Sequence, residues 1–133
     1  QSRLSPPTFG QIAAIEALNT KKEYFQKVIT EYDKRRQLLV RELNKIPGIK
    51  CPIPKGAFYC IAELPIKNSE LFCQWLLEKF HFKNTTVMLA PANGFYSANN
   101  TVHNQVRIAY VLESKKLKIA TTIIKKALEK YQD

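Results

Sequence analysis

Apolar residues recur at helical spacing through much of the chain, and they predict four helices. The first begins at an N-cap, Ser5, with proline at its first helical position, and runs to about Leu18. The second covers about residues 20–46 and ends at the dipeptide of Pro47 and Gly48.

The other two predicted helices lie in the second half of the chain. One follows a cap at Asn68 or Ser69 within "NSELFCQWLLEKF", and the other follows a cap at Ser114. The buried stripe predicted for the last helix consists of Leu117, Ala120, Ile124, Leu128 and Tyr131.

Short apolar runs between the helices predict strands, namely "IKC", "AFYCIA", "TVMLA" and "QVRIAYV". Residues 91–104 read as a long polar loop, in which Gly94 is expected to take a positive φ in a turn. The order of elements predicts an α+β fold: a small sheet of short strands backed by helices, with a long helix near the N-terminus.

Arg107 interrupts the strand "QVRIAYV", which is apolar on both of its faces. Val106, Ile108 and Tyr110 fall on one face and Ala109 and Val111 on the other, so the guanidinium of Arg107 is expected to be buried. A buried guanidinium costs several kcal/mol unless it is paired. Two partners remain open: a structural carboxylate, with Glu63 or Glu113 as candidates, or a carboxylate ligand from solution, which suits the planar fork of arginine.

Composition narrows the classes of function. The net charge of +10 comes from 21 Lys and Arg against 11 Asp and Glu, and such an excess is typical of proteins that bind nucleic acid or anionic membranes. However, 16 of the basic residues are lysines spread along helical faces, which favours solvated surfaces. A freestanding basic nucleic-acid-binding domain stays as an alternative. No apolar run reaches the length of a membrane span, and no signal peptide is recognisable.

Outside the strand of Arg107, few residues indicate a catalytic or ligand-binding site. Cys51, Cys60 and Cys73 are odd in number and lack metal-ligand spacing, so we expect a reducing cytoplasm rather than a zinc site or disulfides. Cys60 and Cys73 lie within apolar runs and are expected to be small core residues. His81 and His103 lie far apart in the sequence, and neither belongs to a catalytic triad pattern. Phosphate-binding glycine motifs are absent.

Six segments, taken in order, resemble the C-terminal part of class I, fold type I, pyridoxal-phosphate-dependent aminotransferases of the aspartate aminotransferase group. They are "RLSPPTFGQIAAIEAL", "YDKRRQLLVREL", "PKGAFY", "FCQWLLEKF", "VMLAPANGFY" and "VRIAYVLE". The resemblance implies that Arg107 binds the α-carboxylate of the substrate. It also implies, on weaker grounds of register, that Arg3 binds the distal carboxylate across a dimer.

The same resemblance implies a domain organisation. Residues 1–19 would continue from a cofactor-binding large domain, and residues 20–133 would form the C-terminal small domain. The full-length enzyme would be a cytoplasmic homodimer that transfers an amino group between an amino acid and a 2-oxo acid with pyridoxal 5'-phosphate.

The chain lacks parts that such an enzyme needs. It starts at Gln1 and its only methionine is Met88, so we expect it to be part of a longer protein. None of its 16 lysines lies in the Ser-x-x-Lys pattern that carries the cofactor in this family, so we expect no bound cofactor and no activity from the chain alone. A fold type I decarboxylase or carbon–sulfur lyase stays open as a further alternative.

Overall fold

The computed structural model describes residues 5–97 and 102–132. The elements follow the predicted order and confirm the α+β fold. In chain order they are α1 (Thr8–Leu18), α2 (Lys22–Asn44), β1 (Tyr59–Glu63), α3 (Ser69–Glu78), β2 (Ala90–Pro91), a 3₁₀ helix (Asn93–Phe95), β3 (Gln105–Ala109) and α4 (Ser114–Leu128).

The chain forms two compact units, which meet within α2 between Glu31 and Tyr32. In the first unit, α1 buries none of its residues, and Phe9 and Leu18 are each 87% exposed. The predicted division into residues 1–19 and 20–133 concerns the longer protein and stays a prediction.

The second unit contains a three-stranded antiparallel sheet in the order β1-β3-β2. Because side chains alternate along a strand, Cys60, Ala62, Val106 and Ile108 all lie on one face. This inner face is buried in the hydrophobic core. Helical residues of the same core include Leu39, Leu43, Phe72, Cys73, Leu76, Leu117, Ile123, Ile124 and Ala127.

The helix starts show how capping depends on the neighbouring residues. Asn68 caps α3 as predicted, since its Oδ1 accepts hydrogen bonds from the backbone N–H groups of Glu70 and Leu71 at 2.9 and 3.2 Å. The prediction of a cap at Ser5 is wrong, because Pro7 restricts the preceding residue to extended backbone and α1 starts only at Thr8.

The prediction of a cap at Ser114 is also wrong by one position. The chain turns at Glu113, which has φ −60° and ψ 153°, so Ser114 is already the first helical residue. The predicted stripe on α4 is buried at Leu117 and Ile124 and half-buried at its other three positions.

Two predicted strands are much shorter than their apolar patterns indicate. The segment "TVMLA" alternates as expected, with Met88 82% exposed and Leu89 8% exposed, but only Ala90 and Pro91 pair with β3. The segment "IKC" contributes a single bridge between Lys50 and Glu63. Alternation of apolar and polar residues indicates which side chains face the core. A strand forms only where the backbone can also hydrogen-bond to a neighbouring segment, and most of these two segments lack such a neighbour in the described structure.

The glycine prediction is corrected as well. Among the described glycines, the one with a positive φ is Gly48, at +83°, and not Gly94, which lies inside the 3₁₀ helix. A Cβ at Gly48 would lie 2.7 Å from Cβ of Pro65, so glycine is required there by both conformation and space.

Candidate carboxylate-binding site

The face of the sheet opposite the core is here called the open face, and Arg107 lies at its centre. Arg107 is on the central strand, and both neighbouring strands pair directly with it, β1 through Ile61 and β2 through Ala90. By the same alternation, the open face consists of Tyr59, Ile61, Glu63, Ala90, Gln105, Arg107 and Ala109.

Arg107 is half-buried, and the prediction of a fully buried charge is wrong. The apolar residues that suggested a second buried face, Ala109 and Val111, are both exposed. In contrast, Val106 is 0% exposed and Ile108 is 7% exposed, so only one face of β3 is covered by core.

Neither predicted structural partner pairs with Arg107. The Glu63 carboxylate accepts from the Lys50 ammonium at 3.5 Å, and Glu113 is exposed before α4. Within residues 5–97 and 102–132, the guanidinium of Arg107 makes no hydrogen bond and no ion pair. Its N–H groups are therefore free to bind a ligand from solution.

Two aromatic rings contact the guanidinium instead. Its Cζ atom lies 4.2 Å from the ring centroid of Phe95 and 5.1 Å from that of Tyr59. Both distances are within the range of cation–π attraction. The rings contact the cation and leave its hydrogen-bonding capacity unused.

Two polar side-chain contacts join the segments on either side of the open face. The Tyr96 hydroxyl donates to Oε1 of Gln105 at 2.6 Å, and Nδ2 of Asn93 lies 3.3 Å from Nδ1 of His103. These contacts connect the 3₁₀ helix region to the strand that carries Arg107. The predicted second arginine, Arg3, lies outside the described residues.

The aromatic neighbours of Arg107 were not predicted. Tyr59 follows the alternation of "AFYCIA" and faces away from Cys60 and Ala62, so a correct strand register would have placed it beside Arg107. Phe95 lies in the segment 91–104, which the sequence shows only as a polar loop.

Other chemistries find no support in the described part of the chain. All three cysteines are free, Cys60 and Cys73 are buried as predicted, and Cys51 is buried as well. Contact with the Cys51 thiol, together with burial, raises the pKa of Cys60, and burial raises the pKa of Cys73 to about 11. Thiols of this kind are poor nucleophiles near neutral pH. Within residues 5–97 and 102–132, no three His, Cys, Asp or Glu side chains are grouped to hold a metal.

An apolar groove lies on another part of the second unit. It has a volume of about 660 Å³ and runs between α4 and residues 85–89, and its lining includes Leu89, Ile119 and Ile123. Lys116 is the one charged residue in this lining. Its other polar residues, Thr85 and Thr86, both donate their hydroxyls to backbone carbonyls, so the groove offers little to orient a substrate and the open face remains the candidate site.

Comparison with known proteins places the chain in a family. The family model of "Aminotransferase class I and II" matches residues 1–124. Aspartate aminotransferase of Pyrococcus horikoshii is 37% identical over 92% of this chain, and a probable aspartate/prephenate aminotransferase of Aquifex aeolicus is 30% identical over 97% of it. The chain spans 30% and 32% of the lengths of these two relatives.

A solved structure shows the same fold. The crystal structure of aspartate aminotransferase from Rhizobium meliloti superposes with a TM-score of 0.79 at 28% identity, covering 99% of this chain and 34% of that one. The chain therefore belongs to the class I and II aminotransferase family. No helix in the described ranges is long and apolar enough to cross a membrane.

Proposed function

We propose that this chain is the C-terminal small domain of an amino-acid aminotransferase, and that Arg107 binds the α-carboxylate of its substrates. The observation that carries the proposal is the state of Arg107. Its guanidinium lies on the open face of the sheet, between two rings, with no carboxylate partner in the described residues. An arginine in a family of amino-acid enzymes that has no internal partner is best explained by an external one.

The chemistry of the pair is straightforward. The planar fork of a guanidinium binds a carboxylate through two parallel N–H···O bonds. Such a pair fixes both the position and the plane of the substrate's carboxylate, and therefore the direction of its Cα–H bond. Orientation of this kind contributes to rate because it prepares the reacting atoms before the chemical step.

The residues of the open face do not fit pyridoxal phosphate. The cofactor requires a lysine for its aldehyde and several donors for its phosphate, whereas the open face has one guanidinium, and Lys50 at its edge is paired with Glu63. We therefore propose that residues outside this chain hold the cofactor, which supplies the electron sink for amino-group transfer. No step of that transfer is assigned to this chain beyond binding and orienting the substrate.

The names of the relatives support finer features of the longer enzyme. Two of them are named as aspartate or aspartate/prephenate aminotransferases, which supports an acidic substrate side chain and a role for Arg3. We propose a homodimer in the cytoplasm, and the three free cysteines are consistent with a reducing compartment.

The test uses the longer protein encoded by the gene. Arg107→Ala should lower kcat/KM for amino acid and 2-oxo acid by roughly 10²- to 10³-fold, since a buried charge pair loses this much when one partner is truncated. Arg107→Lys should recover only part of the loss, because a lysine cannot bind in a bidentate manner.

Arg41→Ala is the matched control, because Arg41 is a surface arginine whose side chain is 63% exposed. It should leave kcat/KM unchanged. Equal activity of the Arg107→Ala and Arg41→Ala enzymes would contradict the proposal.

The chain alone should not transaminate. We expect the reading frame upstream of Gln1 to continue and to encode a Ser-x-x-Lys segment within a few tens of residues. A start codon directly before Gln1, or turnover by the chain itself, would contradict the assignment as a small domain.

A further inference from the structure

We propose that Phe95 and Tyr59 are positioning residues that hold the guanidinium of Arg107 in an orientation ready for a carboxylate. This inference rests on the proposed role of Arg107. The rings lie 4.2 and 5.1 Å from Cζ, and no other described group binds the guanidinium. The orientation of Arg107 therefore depends on these two rings.

The strand order places the rings on opposite sides of β3. Tyr59 belongs to β1, where it pairs with Ala109 and reaches Arg107 diagonally across the ladder. Phe95 belongs to the 3₁₀ helix that follows β2, on the other side of β3. Because β3 is the central strand, the arginine side chain rises between the two rings.

Neither ring is placed there to fill the core. Phe95 is 58% exposed and Tyr59 is 36% exposed. Within the described residues, the ring of Phe95 contacts no other aromatic ring, and its closest charged partner is Arg107 at 4.2 Å. A solvent-accessible phenyl ring beside an unpaired guanidinium is better explained by the cation than by packing.

The two contacts would act through preorganisation. A cation–π contact uses none of the N–H donors of a guanidinium, and those donors are the part that binds a carboxylate. Restricting the flexible arginine beforehand reduces the entropy lost on binding. From the strength of exposed cation–π contacts, loss of one ring should weaken carboxylate binding by about twofold to fivefold.

The first readout is direct and uses the chain as it is. In a ¹H–¹⁵N NMR spectrum, the Nε–Hε signal of Arg107 should be shifted by the ring currents of its two neighbours. Phe95→Leu and Tyr59→Leu should each move it toward the value of a free arginine. Phe25→Leu is the matched control, since Phe25 is 48% exposed and its ring contacts that of Tyr24, and it should leave the signal in place.

The second readout uses the longer enzyme. Phe95→Leu should raise KM for amino acid and 2-oxo acid alike by about twofold to fivefold, with kcat nearly unchanged, since the contact is kept in ground state and transition state. Phe95→Tyr keeps a ring and should restore KM. A merely structural role would lower the active fraction and the urea midpoint instead.

The outcomes separate the two proposals. If Arg107→Ala impairs the enzyme while Phe95→Leu changes neither KM nor the Arg107 signal, the positioning role is wrong and the carboxylate role stands. If Arg107→Ala itself has no effect, the proposed function fails, whatever the rings do to the NMR signal.

Discussion

The two faces of β3 carry different kinds of residue for different reasons. On the inner face, Val106 and Ile108 are 0% and 7% exposed and belong to the core. On the open face, the neighbouring Arg107 is half-buried, carries a charge and has no carboxylate partner among the described residues. Under the proposed function, the same strand contributes to stability through one set of positions and to ligand binding through the alternate set.

This difference has a physical basis in the twofold repeat of a strand. Adjacent residues point to opposite sides, so a rigid, buried row can support an exposed row one residue away. A functional arginine on such a strand is held by the core without being part of it. The following predictions test whether stability and function separate in this way.

The largest expected effect on stability is on the inner face. Ile108→Ala should lower the free energy of unfolding by about 2–4 kcal/mol, because it leaves a cavity in a packed core. Ile61→Ala is the matched control, since Ile61 pairs directly with Arg107 on the open face and is only half-buried. Urea denaturation of the chain measures both, and equal losses would remove the distinction between the faces.

Cys73 in α3 should make the free energy of unfolding depend on pH. Burial raises the pKa of Cys73 from 9.0 to about 11, so the folded state favours the protonated thiol. The resulting stabilisation is complete below pH 9 and is lost as the pH rises toward 11, by roughly 2 kcal/mol. The urea midpoints of wild type and Cys73→Ala are measured between pH 8 and 11, and each is compared with its own value at pH 8. The midpoint of the wild type should fall further than that of Cys73→Ala as the pH rises. The same dependence of the midpoint on pH in both proteins would contradict the assignment to Cys73.

A smaller effect is expected at the start of α3, which contributes Phe72 and Leu76 to the core. Asn68→Ala removes the acceptor for two backbone N–H groups and should cost about 1 kcal/mol. Asn68→Asp keeps an acceptor and should cost much less. A full loss in both variants would show that the cap is not the source of the effect.

The smallest effect on stability is expected on the open side of the sheet. Tyr96→Phe removes the hydrogen bond to Gln105 and should cost about 0.5 kcal/mol, since water replaces an exposed hydrogen bond at little net loss. Thermal unfolding of the chain is sufficient to measure it. A loss comparable to that of Ile108→Ala would mean that the polar contacts of this side are structural.

Much of the fold could be predicted because the signals are local. The long helix, predicted over residues 20–46, is observed over Lys22–Asn44, and the cap at Asn68 is formed as expected. Predictions failed where a neighbour decides the outcome. Pro7 displaces the start of α1, and the segment before Ala90 alternates without a pairing partner.

The candidate site shows the same contrast between local signals and contacts with other segments. The sequence predicts Arg107 as the carboxylate-binding residue, but it overstates how deeply Arg107 is buried. Ala109 and Val111 look like core residues in the sequence and are exposed in the structure. The rings of Tyr59 and Phe95 reach Arg107 only through the strand order β1-β3-β2. Pairing across strands is not encoded in the periodicity of any single segment.

The most direct test is a crystal structure of the longer enzyme with a bound amino-acid substrate analogue. The account predicts that the α-carboxylate accepts two N–H···O bonds from Arg107, at about 2.7–2.9 Å, with the rings of Phe95 and Tyr59 still against the guanidinium. A carboxylate bound elsewhere, with Arg107 paired to a carboxylate of the protein, would contradict it.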